Sequence, residues 1–196
     1  MSAPTPKGSR RRAELLDAAE RVLAAGGGAE LTMRAVAGEA GVRLGHLQYY
    51  FPGRPDLLAA LLERVLTGAL ERVAALAGAD AEQRPAAGDV LDAVLLADHD
   101  DPRLVRVFTE IWAMAAREEP AAAAVRGFYD AYAGHVAEYI ARGAPGVPAS
   151  VCRARAETLV MLVEGAALMR SGVAGVRSAA TDAEVRRVAL SLLAPG

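Results

Sequence analysis

Between Leu31 and Leu58 the chain reads LTMRAVAGEAGVRLGHLQYYFPGRPDLL, and this stretch restricts the possible folds more than any other part of the sequence. Met33, Val36 and Ala37 recur at the three- and four-residue spacing of one helix face, with Thr32 placed to cap that helix. Glu39-Ala40-Gly41-Val42 then breaks the pattern. Glycine at 41 admits the positive φ of a sharp helix-to-helix turn, and Val42 can plug the angle between the two helices. A second helix is expected from about Arg43 to Tyr50, carrying Arg43, His46, Gln48, Tyr49 and Tyr50. That is a high density of long hydrogen-bonding side chains for two turns. Pro52 and Gly53 end it. Pro55 and Asp56 suit the first turn of the next helix, where a missing N–H costs nothing and a carboxylate complements the dipole. Two short helices about a glycine turn make a helix-turn-helix.

The rest of the chain reads as helix throughout. Residues 1–9 hold two prolines, a lysine and small polar groups, and are expected to form a flexible arm. Leu15, Leu16, Ala19, Val22 and Leu23 give an amphipathic first helix from about Arg10 to Ala25, stopped by Gly26-Gly27-Gly28. No Lys-Ser pair follows these glycines and no strand precedes them, so they terminate a helix and do not make a phosphate loop. A long helix runs from Pro55 to about Leu76, followed by helices over Asp89–Ala97, Arg103–Glu118, Ala121–Arg142 and Val151–Ser171. Pro120 separates the middle pair. The last helix covers Asp182–Leu193, capped by Thr181 or Asp182. No stretch alternates at period two for long enough to form a strand. The expectation is an all-α chain of nine helices, three in a head over residues 10–54 and six in a body over residues 55–196.

Charge is distributed unevenly between these parts. The net charge is −2, but residues 1–56 carry eight basic side chains against six acidic ones, leaving the acidic excess to the remainder. A mildly basic head on an acidic body suits a module that docks on phosphates. The single Cys152 excludes a disulfide framework and a cysteine metal pair. With no apolar run of membrane-spanning length and no apolar signal core, a cytoplasmic location without membrane attachment is expected. Asp98-His99-Asp100-Asp101 has metal-ligand residue types, yet it precedes a helix whose dipole acids complement. His135 and Glu138 stand in the reverse of the di-iron order. Neither a nucleophile elbow nor a zinc-protease signature occurs, so no enzyme activity, metal or cofactor is expected.

In the head, Thr32, Val36, Ala37, Ala40, Gly41, Val42, Gly45, Leu47, Tyr50, Phe51, Arg54 and Leu57 resemble, in one register, the pattern of the TetR family of bacterial transcriptional regulators. The chain departs from it at Arg43, where serine is usual, and at Gln48, where the family has a tyrosine that often holds a phosphate. The resemblance implies a DNA-binding head, and the specific match covers about Arg12 to Leu58. Phe108–Arg117 and Leu162–Leu168 look like branches of the family with a ligand-binding body of the choline-repressor type. Repression, rather than activation, is a family expectation.

Groove chemistry then assigns roles on double-stranded operator DNA. Arg43 and Gln48 are the candidates for base contacts, since guanidinium reads guanine and carboxamide reads adenine. His46 and Tyr49 reach bases or phosphates. Gly45, beside Leu44 at the start of the helix, permits close backbone approach. Thr32, Arg34, Tyr50 and Arg54 are expected on phosphates, fixing the register. For Tyr50 the alternative is core packing. Lys7, Arg10 and Arg11 are further candidates from the arm.

One head buries too little surface for specificity, so a homodimer on a near-palindromic operator is expected. Leu159, Leu162, Val163 and Ala166, with Val185, Val188 and Leu192 on the last helix, are the candidate dimer residues. For a small apolar or amphiphilic inducer, Phe108, Trp112, Phe128, Tyr132 and Met161 offer apolar lining and Glu164 a polar anchor. Its binding is expected to move the long fourth helix.

Overall fold

The computed structural model describes residues 6–77, 86–92 and 102–194. Among these the chain is all-helical: α1 (Pro6–Glu30), α2 (Met33–Glu39), α3 (Leu44–Tyr50), α4 (Arg54–Ala77), α5 (Ala87–Asp92), α6 (Pro102–Ala115), α7 (Glu119–Gly143), α8 (Ala149–Arg170) and α9 (Ala179–Leu193). The only β pairing among them is an isolated bridge between Ser171 and Val176. None of the described helices is long and apolar enough to cross a membrane. The Asp98–Asp101 cluster, residues 93–97 of the expected fifth helix and residues 1–5 of the arm lie outside the described residues.

Four helix boundaries differ from the sequence expectation for local reasons. Helix α1 begins at Pro6, where proline's fixed φ fits a first turn. Pro120 likewise sits in the first turn of α7. Helix α9 is not capped by Thr181 or Asp182, because it begins three residues earlier, after Ser178. Asp182 lies in its first turn and pairs instead with Arg170 and Arg177, both at 2.8 Å. Gly27 interrupts α1 with φ 75° and ψ −178°, a conformation open essentially to glycine alone, so the expected glycine stop is a break near the end of a longer helix.

The chain divides into two compact units. The first contains the described residues up to Leu66 together with Arg106–Val125. Leu15, Leu16, Leu23, Leu31, Val36, Leu47, Phe51, Leu57 and Leu61 are buried there. Surface ion pairs join its helices: Arg21 of α1 meets Glu39 of α2 at 2.6 Å, and Arg64 of α4 meets Asp17 and Glu20 of α1 at 2.5 and 2.6 Å. Val107, Ile111 and Met114 of α6 are also buried. The second unit contains the described residues of 67–105 and 126–196. On α8, Cys152, Ala156, Leu159, Val160, Val163, Ala166 and Ala167 are buried, recurring at the three- and four-residue spacing of one helix face, the inner face of a helix that packs on α9. Arg153 joins α8 to Asp130 of α7 at 2.7 Å, and Arg155 donates to the carbonyl of Ala194.

Candidate nucleic-acid interface

The surface around α3 is assembled by local rules. The Thr32 hydroxyl oxygen accepts the backbone N–H of Ala35 at 3.1 Å and caps α2. Such a cap contributes about 1 kcal/mol. Gly41 then takes φ 64°, and the Val42 N–H returns to the carbonyl of Ala37 at 2.9 Å, closing the turn. Arg43 is the N-cap of α3 and makes no side-chain cap. Leu47, fully buried, anchors α3 to the core of the unit.

With Leu47 facing inward, the opposite side of α3 is open. Arg43, Gly45, His46, Gln48 and Tyr49 are exposed, Tyr49 by 81%, while Leu44 and Tyr50 are half-buried. A Cβ added at Gly45 would meet nothing within 4 Å, so the helix surface there is recessed and clear. Tyr50 lies edge-on to both His46 and Tyr49, at 5.6 and 5.1 Å between centroids. Phe51 is buried, with the Arg12 guanidinium 5.2 Å from its ring centre.

The basic start of α1 borders this surface. Arg11 Nε donates to His46 Nε2 at 3.3 Å, and a second nitrogen of Arg11 donates to Glu14 at 2.7 Å. Arg10 also bonds Glu14, at 3.2 Å. The hydrogen bond from Arg11 is the main cause holding the Glu14 carboxyl below its ordinary range. Lys7 is exposed on the same segment. The interaction of Arg11 with His46 was not foreseeable from spacing, since the two residues are 35 positions apart.

Among the expected phosphate contacts, Thr32 and Arg34 are exposed at the start of α2. Arg54 is partly engaged within the protein. It donates to the carbonyls of Leu31 at 3.0 Å and Gly28 at 3.3 Å, with Glu118 at 3.8 Å. It therefore ties the start of α4 to the α1–α2 connection.

The expected ligand residues fall into separate groups. Phe108 and Trp112 pair edge-on along α6, with centroids 6.4 Å apart. In the second unit, Phe128 and Tyr132 of α7 are buried, with Phe128 5.9 Å from Tyr132 and 4.9 Å from Tyr129. Glu164 of α8 accepts a hydrogen bond from Tyr129, yet burial dominates and pushes its carboxyl up to about 7. Met161 points elsewhere, being 72% exposed.

The expected dimer residues also separate by side. Leu159, Val163 and Ala166 are buried within the single chain, while Leu162, Val185, Val188 and Leu192 are half-buried. Apart from Tyr49, every large exposed apolar side chain among the described residues lies between Val151 and Val176: Val151, Met161, Met169, Val173 and Val176.

Comparison with known proteins gives two regional matches and a shared fold. Residues 15–61 match the model described as bacterial regulatory proteins of the tetR family, and residues 83–194 match the C-terminal region of BetI-type transcriptional repressors. An uncharacterised helix-turn-helix-type transcriptional regulator from Xanthobacter autotrophicus, in the dhlA 5′ region, is 32% identical over 139 residues, covering 69% of this chain and 66% of that protein. The chain thus spans just under two thirds of that relative. A TetR transcription regulator from Haloarcula marismortui shares the fold with a TM-score of 0.76 at 22% identity, over 94% of this chain and 97% of the other. The multidrug binding protein EbrR, solved with malachite green, aligns with a TM-score of 0.66 at 25% identity, over 93% and 97% of the two chains.

Proposed function

The chain belongs to the TetR family of bacterial transcriptional regulators, and from that premise we propose that it is a homodimeric repressor that binds a near-palindromic operator and leaves it when a small molecule binds. The observation that carries the DNA reading is the sidedness of α3: Leu47 is fully buried while Arg43, His46, Gln48 and Tyr49 are exposed together. A helix of this kind fits the major groove, where Arg43 reads guanine and Gln48 reads adenine. Thr32, Arg34 and Tyr50, with the basic start of α1, hold phosphates and set the register. Arg54 supports that register from inside the head as well as offering its charge.

Pairing of two heads is assigned to the outward face of α8. Val151, Met161 and Met169, with Gly165 exposed between the methionines, form an apolar strip that solvent covers poorly. Leu162, Val185, Val188 and Leu192 border it as half-buried neighbours. The inducer site is assigned to the second unit, where Tyr129 donates to the carboxyl of Glu164 and lies against Phe128, which in turn lies beside Tyr132. An apolar or amphiphilic molecule bearing a cationic group would restore the ionised form of that carboxyl. EbrR, which binds malachite green, supports ligand binding by a chain of this fold.

The test is selection from a random duplex library, followed by salt titration of the winning site with wild type and Arg43→Ala. A palindromic winner whose affinity falls with salt, with relaxed base preference in the variant, is the expected result. A folded dimer that enriches no sequence would overturn the DNA reading.

A further inference from the structure

We propose that Arg11 fixes the tautomer of His46, so that His46 meets operator DNA as a hydrogen-bond donor through Nδ1 and excludes cytosine from the position it reads. This rests on the DNA reading of α3 given above. Neutral imidazole carries one N–H and one lone pair, and which nitrogen holds the proton is set by its partners. Guanidinium offers donors only. With Arg11 Nε donating to Nε2 at 3.3 Å, the lone pair is on Nε2 and the proton on Nδ1. The arrangement is held at both ends. Glu14 takes a hydrogen bond from Arg11 at 2.7 Å, and Tyr50 lies edge-on to the imidazole at 5.6 Å.

The consequence is chemical selectivity on an exposed side chain of the recognition helix. In the major groove guanine presents N7 and O6, adenine N7 and thymine O4 as acceptors, whereas cytosine presents a donor. A histidine free to exchange tautomers offers a donor from either nitrogen and an acceptor from the other. One locked by Arg11 has a donor only. Arg11 is thus a positioning residue and His46 the specificity residue it sets.

Two measurements on the full-length protein test this. Long-range nitrogen-proton NMR of the imidazoles, at pH 8 without DNA, reads the tautomer directly. Wild type and Arg11→Lys are expected to show His46 protonated at Nδ1, and Arg11→Ala to revert to the Nε2–H form that free histidine favours. An Nε2–H wild type, or an Arg11→Ala variant with unchanged tautomer, would overturn the proposal. Selection on random duplexes then reads the base preference. Arg11→Ala and His46→Ala are expected to relax the same position in each half-site, discrimination against cytosine there falling roughly tenfold. A uniform loss of affinity with every position unchanged would place His46 on a phosphate and refute the base assignment. A wild type that enriches no sequence refutes the DNA reading itself. Because the tautomer is read without DNA, that failure is distinguishable from a failure of the Arg11–His46 relation.

Discussion

The carboxylate of Glu110, in α6, accepts the backbone N–H of Gly28 at 2.9 Å, joining residues 82 positions apart. The bond falls one residue beyond Gly27, where positive φ turns the end of α1. A Cβ at Gly27 would come within 2.8 Å of the same carboxylate, so a side chain there would displace Glu110 from this bond in addition to straining the positive φ. The side chain of Glu110 thereby takes a backbone donor at the break in α1.

Glu110→Ala is expected to lower the unfolding free energy by about 1–2 kcal/mol, the range for a charged hydrogen bond that is only partly shielded. Glu110→Gln keeps an acceptor oxygen and should lose less. Urea unfolding measures both, and hydrogen exchange at the Gly28 amide should accelerate in the alanine variant. Equal stability of all three proteins would show that the bond contributes nothing.

Two glycines in the helix-turn-helix should respond oppositely. Gly41→Ala forces a side chain into φ 64° and should cost about 1–2 kcal/mol, although the space around it is clear. Gly45→Ala lies within α3 in open space and should leave stability unchanged or slightly raised. Its effect is expected on operator affinity, where the added methyl stands between helix and groove. Thermal unfolding and DNA titration of the pair separate the two roles.

Arg54→Ala should weaken the isolated protein as well as its DNA binding, because the side chain bonds the carbonyls of Leu31 and Gly28. Arg43→Ala should affect DNA discrimination alone, since Arg43 makes no side-chain cap. Unfolding curves without DNA provide the check: a loss of about 1 kcal/mol or more is expected for the first and within about 0.5 kcal/mol for the second.

Burial raises the Glu164 carboxyl from 4.5 to about 7 in the folded chain. Between those values the folded state retains a proton that the unfolded state has released, so this group makes stability fall as pH rises from about 4.5 to 7. Below that window it contributes no penalty, and above it the penalty is constant. Glu164→Gln removes the titration. Its stability relative to wild type should therefore increase across the window, by no more than about 3 kcal/mol. A difference that stays flat with pH would refute the assignment.

Met161→Asp places a charge on the outward face of α8 without touching the buried face formed by Leu159 and Val163. Sedimentation should show a folded protein shifted from dimer to monomer. A variant that remains dimeric would move the pairing surface elsewhere.

The helix-turn-helix was legible almost residue by residue, because its determinants act over a few positions. Thr32 caps the helix that follows it, Gly41 supplies one dihedral angle, and Leu47 faces inward four residues after Arg43. Helix α9 was less legible at its start. Asp182 has the residue type of a cap, but its partners Arg170 and Arg177 draw it into the pairing beside the α8–α9 connection.

The sequence by itself determined the all-α class, the order of the helices and the set of side chains carried by α3, since periodicity and capping are local properties of the backbone. Tertiary structure decided which apolar side is spent inside the protomer. Periodicity marks Leu159 and Val163 as apolar and marks Met161 likewise, yet only packing buries the first two and leaves the third 72% exposed. Tertiary structure also decided the partners of Arg11, Arg54 and Glu110. A charged side chain of this length reaches any group that folding brings near it, and sequence spacing does not encode that distance.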